Sequence, residues 1–163
     1  WSRMTPMLDT ELAPERQAWH KQLAMLCNNR AWTLSGQDRT AAEDREMLTT
    51  AHTSAYHWAL VGTELNRMRA TALLAQVHAF LGHGETSFAL ATDMRNYFLG
   101  RAETPDWELA FTHVIYAHSA CVAGRPELHA VAYQAAVAAM ALIADEEDRR
   151  IVNEAFKRIP VPS

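Results

Sequence analysis

Eight histidines are the residues of this chain best equipped for chemistry, because imidazole moves protons near neutral pH and ligates transition metals. Two pairs stand out: His52 and His57 in "HTSAYH", and His113 and His118 in "HVIYAH", each five residues apart with a tyrosine between. On a helix five residues turn ~140° past a full circle, so the members of a pair point to different faces. Neither pair can chelate one metal as a helical i, i+4 pair does, and the sequence has no HExxH. No metal or cofactor is therefore assigned. A histidine site would have to be gathered across helices, and His52, His57, His78 and His118 are the residues available for it.

Other polar residues recur at helical spacing. Arg67, Thr71, Leu74 and His78 follow a 4-3-4 spacing and share one face, with Arg69 close by. Glu108, Thr112 and Ser119 lie near one face of a later helix, with His113 and Tyr116 three apart on its flank. Meeting across a groove, the two seams would offer guanidinium, imidazole, phenol and carboxylate, a mixture suited to a peptide end or a small carboxylate. The plainer alternative pairs Arg67 with Glu108 as structural ions and leaves the rest to fill a hairpin junction. His52, Tyr56, His57 and Trp58, with Trp107 and Phe111, would line an aromatic pocket in which His57 is the residue to tune for acid–base work. Packing is the competing use of those aromatics, and it is the use expected of Trp19 and Trp32 in the first hairpin.

Nucleophilic catalysis has no setting here. Ser54, Ser87 and Ser119 lack a Gly-x-Ser-x-Gly context, and Cys27 and Cys121 lack CxxC or Cys/His spacing and read as small buried hydrophobes. The glycines of "LGHGE" follow a helix rather than a strand, so they do not form a phosphate-binding loop. No catalytic residue is assigned, and a small helical enzyme or metal- or ligand-binding protein built on gathered histidines is the alternative reading.

The chain that must position these residues has 163 residues, the usual size of one domain. With 49% hydrophobic residues and a bias to alanine, as in "AVAYQAAVAAMALIA", it points to closely packed helices. A net charge of -4 with both signs interleaved leaves no basic stripe for a phosphate backbone, which argues against nucleic acid. No apolar run of ~18 residues spans a membrane. The opening "WSRMTPML" lacks the order of a signal peptide, Met4 is a candidate start, and a cytoplasmic setting is expected.

Punctuation divides the chain into about seven helices. Pro14 opens the first and Ser35-Gly36 closes it; "TAAE" at Thr40–Glu43 is a capping box for a second, to Val61. Gly62-Thr63 starts a third, from Glu64 to Leu81, and Gly82 and Gly84 turn into a fourth, from Glu85 to Leu99. Thr104-Pro105 begins a fifth, to Ala123, and Pro126 a sixth, to Ala144. "DEED" at Asp145–Asp148 places negative charge at the start of a seventh. Short glycine-centred connections imply antiparallel neighbours, and no stretch alternates as a strand does, so the fold is all-α.

"LLAQVHAFLGHGETSFALA" and "VIYAHSACVAGRPELHAVA" share a layout in which Gly84 and Gly124 are equivalent points, about 40 residues apart. Leu74, Gly82, Ala89 and Ala91 fall roughly where a tetratricopeptide repeat has its large, glycine and small positions. The chain therefore resembles a tetratricopeptide-like repeat protein over residues 64–144, although its units exceed the usual ~34 residues. "YHW", "NRMRA", "LG" and "DWELAF" also make residues 50–160 similar to a group of bacterial proteins without an established activity. The resemblance implies antiparallel hairpins stacked as a short right-handed solenoid in one domain. Residues 10–61 are a degenerate first hairpin, 64–100 and 104–144 the next two, and 145–159 a capping helix. It further implies a non-catalytic module that recognises a peptide or protein partner in the groove between hairpins. Arg67, Arg69, Thr71, His78, Glu108, His113 and Tyr116 are the expected contacts. The last helix caps the stack through Ile151, Val152, Ala155, Phe156 and Ile159, or docks on a second copy as a homodimer.

Overall fold

In the computed structural model, which describes residues 13–162, those residues form seven helices and no strand. They are α1 (Pro14–Ser35), α2 (Ala41–Val61), α3 (Glu64–Phe80), α4 (Gly84–Leu99), α5 (Asp106–Val122), α6 (Pro126–Ala141) and α7 (Glu146–Phe156). Met4 and the expected start of the first hairpin at residue 10 lie outside the described residues. Among those residues no helix is long and apolar enough to cross a membrane.

Local chemistry sets the boundaries. The Thr40 hydroxyl accepts the Glu43 N–H while the Glu43 carboxylate accepts the Thr40 N–H at 2.8 Å, and Thr63 with Asn66 repeats the arrangement at α3. Pro14 and Pro126 occupy first-turn positions, where the missing N–H has no helical partner to lose. α3 and α5 end alike: Gly82 (φ 75°) and Gly124 (φ 67°) adopt the left-handed conformation, and the next N–H reaches back to His78 O and Ala120 O respectively. Gly82, rather than Gly84, is thus the counterpart of Gly124. The register is regular, since α5 and α6 begin and end 42 residues after α3 and α4.

α6 stops at Ala141, short of the expected Ala144. The Asp106 carboxylate accepts the Ala144 N–H at 3.0 Å and Arg149 donates to Ile143 O at 2.9 Å. These bonds satisfy the backbone outside the helix and leave Ile143 in the core.

Consecutive helices run antiparallel. His20 near the start of α1 meets His57 near the end of α2, while Arg30 further along α1 pairs with Glu46 early in α2. The odd-numbered helices also touch one another in order, α1 with α3, α3 with α5 and α5 with α7, whereas α2, α4 and α6 touch only their neighbours in the chain. α3 and α5 are consequently surrounded, with every residue from Leu73 to Ala79 and from Val114 to Ala120 buried. One apolar cluster, including Leu34, Met47 and Val77, joins α1, α2 and α3; a second, including Phe98, Ile115 and Val152, joins α3 through α7.

Buried serines tie neighbouring helices. Ser54 Oγ donates to Ala24 O at 2.9 Å and Ser87 Oγ to Ala75 O at 2.7 Å. A hydroxyl has one proton, so Ser119 is the donor in the 2.6 Å bond between Ser119 and Ser87. On α7, Val152 and the following Ile159 are buried in the same core as α5, and Ala155 and Phe156 pack against it. Trp19, expected to pack, is 65% exposed, because among the described residues no helix lies against the outer face of α1. Cys27 and Cys121 are free and half-buried, and desolvation pushes both thiol pKa values up.

Candidate functional site

A recess of about 390 Å³ opens between the odd-numbered helices. α1 contributes Asn28 and Trp32, and α3 contributes Arg69, Ala72 and Leu73. Five residues of α5 face it: Trp107, Glu108, Phe111, Thr112 and Ile115. Asp148, Ile151 and Val152 of α7 form the opposite side, and Met94 and Phe98 of α4 complete the wall. The volume lies within the range of small-ligand pockets, roughly 300–1,000 Å³.

One charged pair is built into this apolar wall. The Arg69 fork donates Nε–H to Glu108 Oε1 at 2.7 Å and Nη2–H to Oε2 at 3.1 Å, while the guanidinium stacks 5.5 Å from the Trp107 ring. The Glu108 side chain is 6% exposed and that of Arg69 44%. Hydrogen bonding to Glu108 raises the Arg69 pKa, keeping the cation fixed. Trp32 stands 5.3 Å from Phe111. Asp148 also lines the recess, and no cation lies within ion-pair distance of its carboxylate among the described residues.

Arg69→Ala leaves a buried carboxylate without its partner and is expected to destabilise the fold by about 2 kcal/mol, less than for a fully buried pair because Arg69 is part-exposed. Adding Glu108→Gln should restore part of that loss. Urea unfolding of the single and double variants measures both; a double variant no better than Arg69→Ala would mean that lost packing on Trp107 dominates.

A second recess of about 240 Å³ adjoins the first through Trp32 and Ile151. It runs between the end of α1, at Ser35 and Gly36, and α7, at Arg150, Glu154 and the following Arg158, over Gln76 and Phe80 of α3. Arg158 donates to Gly36 O at 2.5 Å, a bond between residues 122 apart in sequence. Both recesses therefore lie where the two ends of the helical array approach each other.

Of the residues expected at a site, Arg69, Trp107, Glu108, Phe111 and Thr112 line the first recess. The others stand elsewhere. Arg67 donates to Gly62 O, so the ion partner of Glu108 is Arg69 and not Arg67; Thr71 donates to Arg67 O. His113 lies near Arg95 of α4, and Tyr116 is covered by the Arg95 guanidinium at 4.7 Å and by Phe88 at 5.3 Å. Tyr56 is exposed beside His57.

The histidines gather in separate groups. His20 and His57 share a hydrogen bond between Nδ1 atoms at 2.7 Å, and His78 and His83 another at 3.0 Å, with the His52 ring 5.5 Å from His78. Each bond needs one neutral ring to accept. His118 packs against Phe80 at 5.0 Å and feels the charge of His129. Desolvation is the first cause lowering the pKa of His57, His78 and His113, and it pushes His118 down to about 4. Among the described residues no group of three or more His, Cys, Asp or Glu is arranged to hold a metal ion.

The lining residues to which the sequence reading gave no place at a site include Ala72, Leu73, Gln76, Ile115, Asp148 and Ile151. A trace of them was present. Arg69, Leu73, Gln76 and Phe80 follow the same 4-3-4 spacing as Arg67, Thr71, Leu74 and His78, two positions further on, which is ~200° round the helix. No family model, no curated protein and no solved structure matches the chain.

Proposed function

We propose that the protein is a non-catalytic binding module, a short tetratricopeptide-like right-handed stack of hairpins that holds a segment of a peptide or protein partner between its odd-numbered helices. The 42-residue register of α3–α4 and α5–α6 and the ordered contacts of the odd-numbered helices support the stack. The observation that carries the binding reading is the recess of about 390 Å³, apolar and aromatic, with a fixed Arg69–Glu108 pair in its wall. Such a surface buries an apolar anchor and offers few charges, the composition of a binding hot spot. The histidines that a metal or acid–base reading would use lie outside the lining of this recess.

Ala72→Phe fills the recess from a half-buried position. Selection from a displayed random-peptide library on the purified chain should yield binders whose affinity falls by about tenfold or more in Ala72→Phe. Arg67→Ala and His113→Ala, whose side chains lie outside the recess, should leave it unchanged. Binders indifferent to Ala72→Phe but lost in Arg67→Ala or His113→Ala would move the site to the other face of α3 and α5.

A further inference from the structure

The chemistry of the partner segment can be read from what the two adjoining recesses leave unsatisfied, taking the peptide-binding reading as given. Gln76 is 4% exposed and lines the second recess, yet its Oε1 is buried with no hydrogen-bond donor. Buried acceptors are nearly always paired in folded proteins, so this one awaits a donor from outside the chain. Leu73, in the first recess, lies one turn away on α3, about 4.5 Å along the axis. An extended peptide advances about 3.3–3.6 Å per residue, so a main-chain N–H at Gln76 and a side chain in the first recess belong to the same or adjacent residues.

Charge supplies the second constraint. Arg69 is engaged by Glu108, Arg150 by Glu147 at 2.6 Å and Glu154 by Lys157 at 2.8 Å, while Arg158 donates to Gly36 O. Asp148 alone among the charged residues lining the recesses has neither an ion partner nor a side-chain hydrogen bond. Its carboxylate edges an apolar space walled by Trp32 and Phe111.

We infer that the partner is an extended peptide presenting a large apolar side chain, aromatic or leucine-sized, next to a basic residue, with a main-chain N–H donated to Gln76. The apolar side chain fills the recess between α1, α3, α5 and α7, and the basic residue pairs with Asp148 across its rim. The donated N–H satisfies the Gln76 oxygen, which is buried and bare in the wall of the second recess.

The test uses displayed random octapeptides on the intact chain, followed by synthetic versions of the enriched sequences in calorimetry. Enrichment of an apolar residue beside lysine or arginine is expected. Asp148→Asn should weaken these peptides by about fivefold and flatten their salt dependence. Methylating the critical main-chain nitrogen of the peptide should weaken binding by about tenfold to the native chain and have little effect on Gln76→Leu. Enriched sequences that are acidic or neutral, or that ignore Asp148→Asn, overturn the basic partner; methylation that is equally damaging to both chains overturns the role of Gln76. If no peptide is enriched over an Ala72→Phe control, it is the peptide-binding reading itself that fails.

Discussion

Gly84→Ala is expected to destabilise the fold by about 3 kcal/mol or more and to lower its melting temperature by about 10 °C. An added Cβ would stand 2.5 Å from Val122 O and 2.8 Å from both Val122 C and Ala123 Cα. All three are backbone atoms at the end of α5, so no side chain can swing aside to make room. The first turn of α4 would have to lift, loosening the Ser87–Ser119 bond just beyond it. Gly82 and Gly124 make the comparison sharp, because a Cβ there meets nothing within 4 Å and the strain comes from positive φ alone. Alanine at either should cost about 1–2 kcal/mol. Pro126, at the first-turn position of α6 that corresponds to Gly84, is exposed, so the demand for glycine at 84 arises from contact with α5 rather than from the turn. Urea titrations of the three variants give the order directly. Gly84→Ala no worse than Gly82→Ala would show that α4 and α5 can separate cheaply.

Apart from the end of α6, the helix boundaries were legible because they are local. A threonine whose third neighbour is Glu43, a proline in a first turn and a glycine at a helix end each act within a few residues, and the structure has them acting so. Asp145 goes further than the dipole role read for it, its carboxylate accepting the N–H groups of Glu147 and Asp148. The face that α3 turns to the recess was not legible. Seven consecutive residues of α3, from Leu73 to Ala79, are buried, and a helix buried all round has no polar side from which to take its bearing. Two stripes of identical spacing then compete, and only packing against α1 and α5, with α7 across the recess, picks Arg69, Leu73, Gln76 and Phe80. α5 was easier at its start, where Glu108 and Thr112 were placed on one face and both line the recess. For α7 an apolar stripe that includes Ile151 and Val152 was legible but no place at the recess, since Asp148 and Ile151 come opposite Trp32 only when the ends of the array approach each other.

Acid should unfold this protein earlier than its surface charges alone would require, with His118 the largest single cause. Desolvation on α5, followed by the neighbouring charge of His129 on α6, pushes the His118 pKa down to about 4, while the Phe80 ring of α3 covers it at 5.0 Å. The unfolded chain binds this proton near the ordinary value of 6.5, so between the two values the unfolded state carries more protons and stability rises with pH. The contribution is complete above about pH 6.5, is lost as the pH falls to about 4 and amounts to about 3 kcal/mol. His57, His78 and His113, also lowered first by burial, act with the same sign. The exposed carboxylates of Glu43, Glu46, Glu147 and Glu154 are held below their usual range by hydrogen bonds, and their contribution is lost only at lower pH. His118→Gln tests the assignment with a residue the fold already accommodates, because Gln76 holds the corresponding buried position 42 residues earlier. Urea midpoints measured from about pH 7.5 to 4 should fall less steeply in His118→Gln than in the native chain, by about 3 kcal/mol over the range. Parallel curves would move the acid sensitivity to His57, His78 and His113, whose imidazoles burial also disfavours in the charged form.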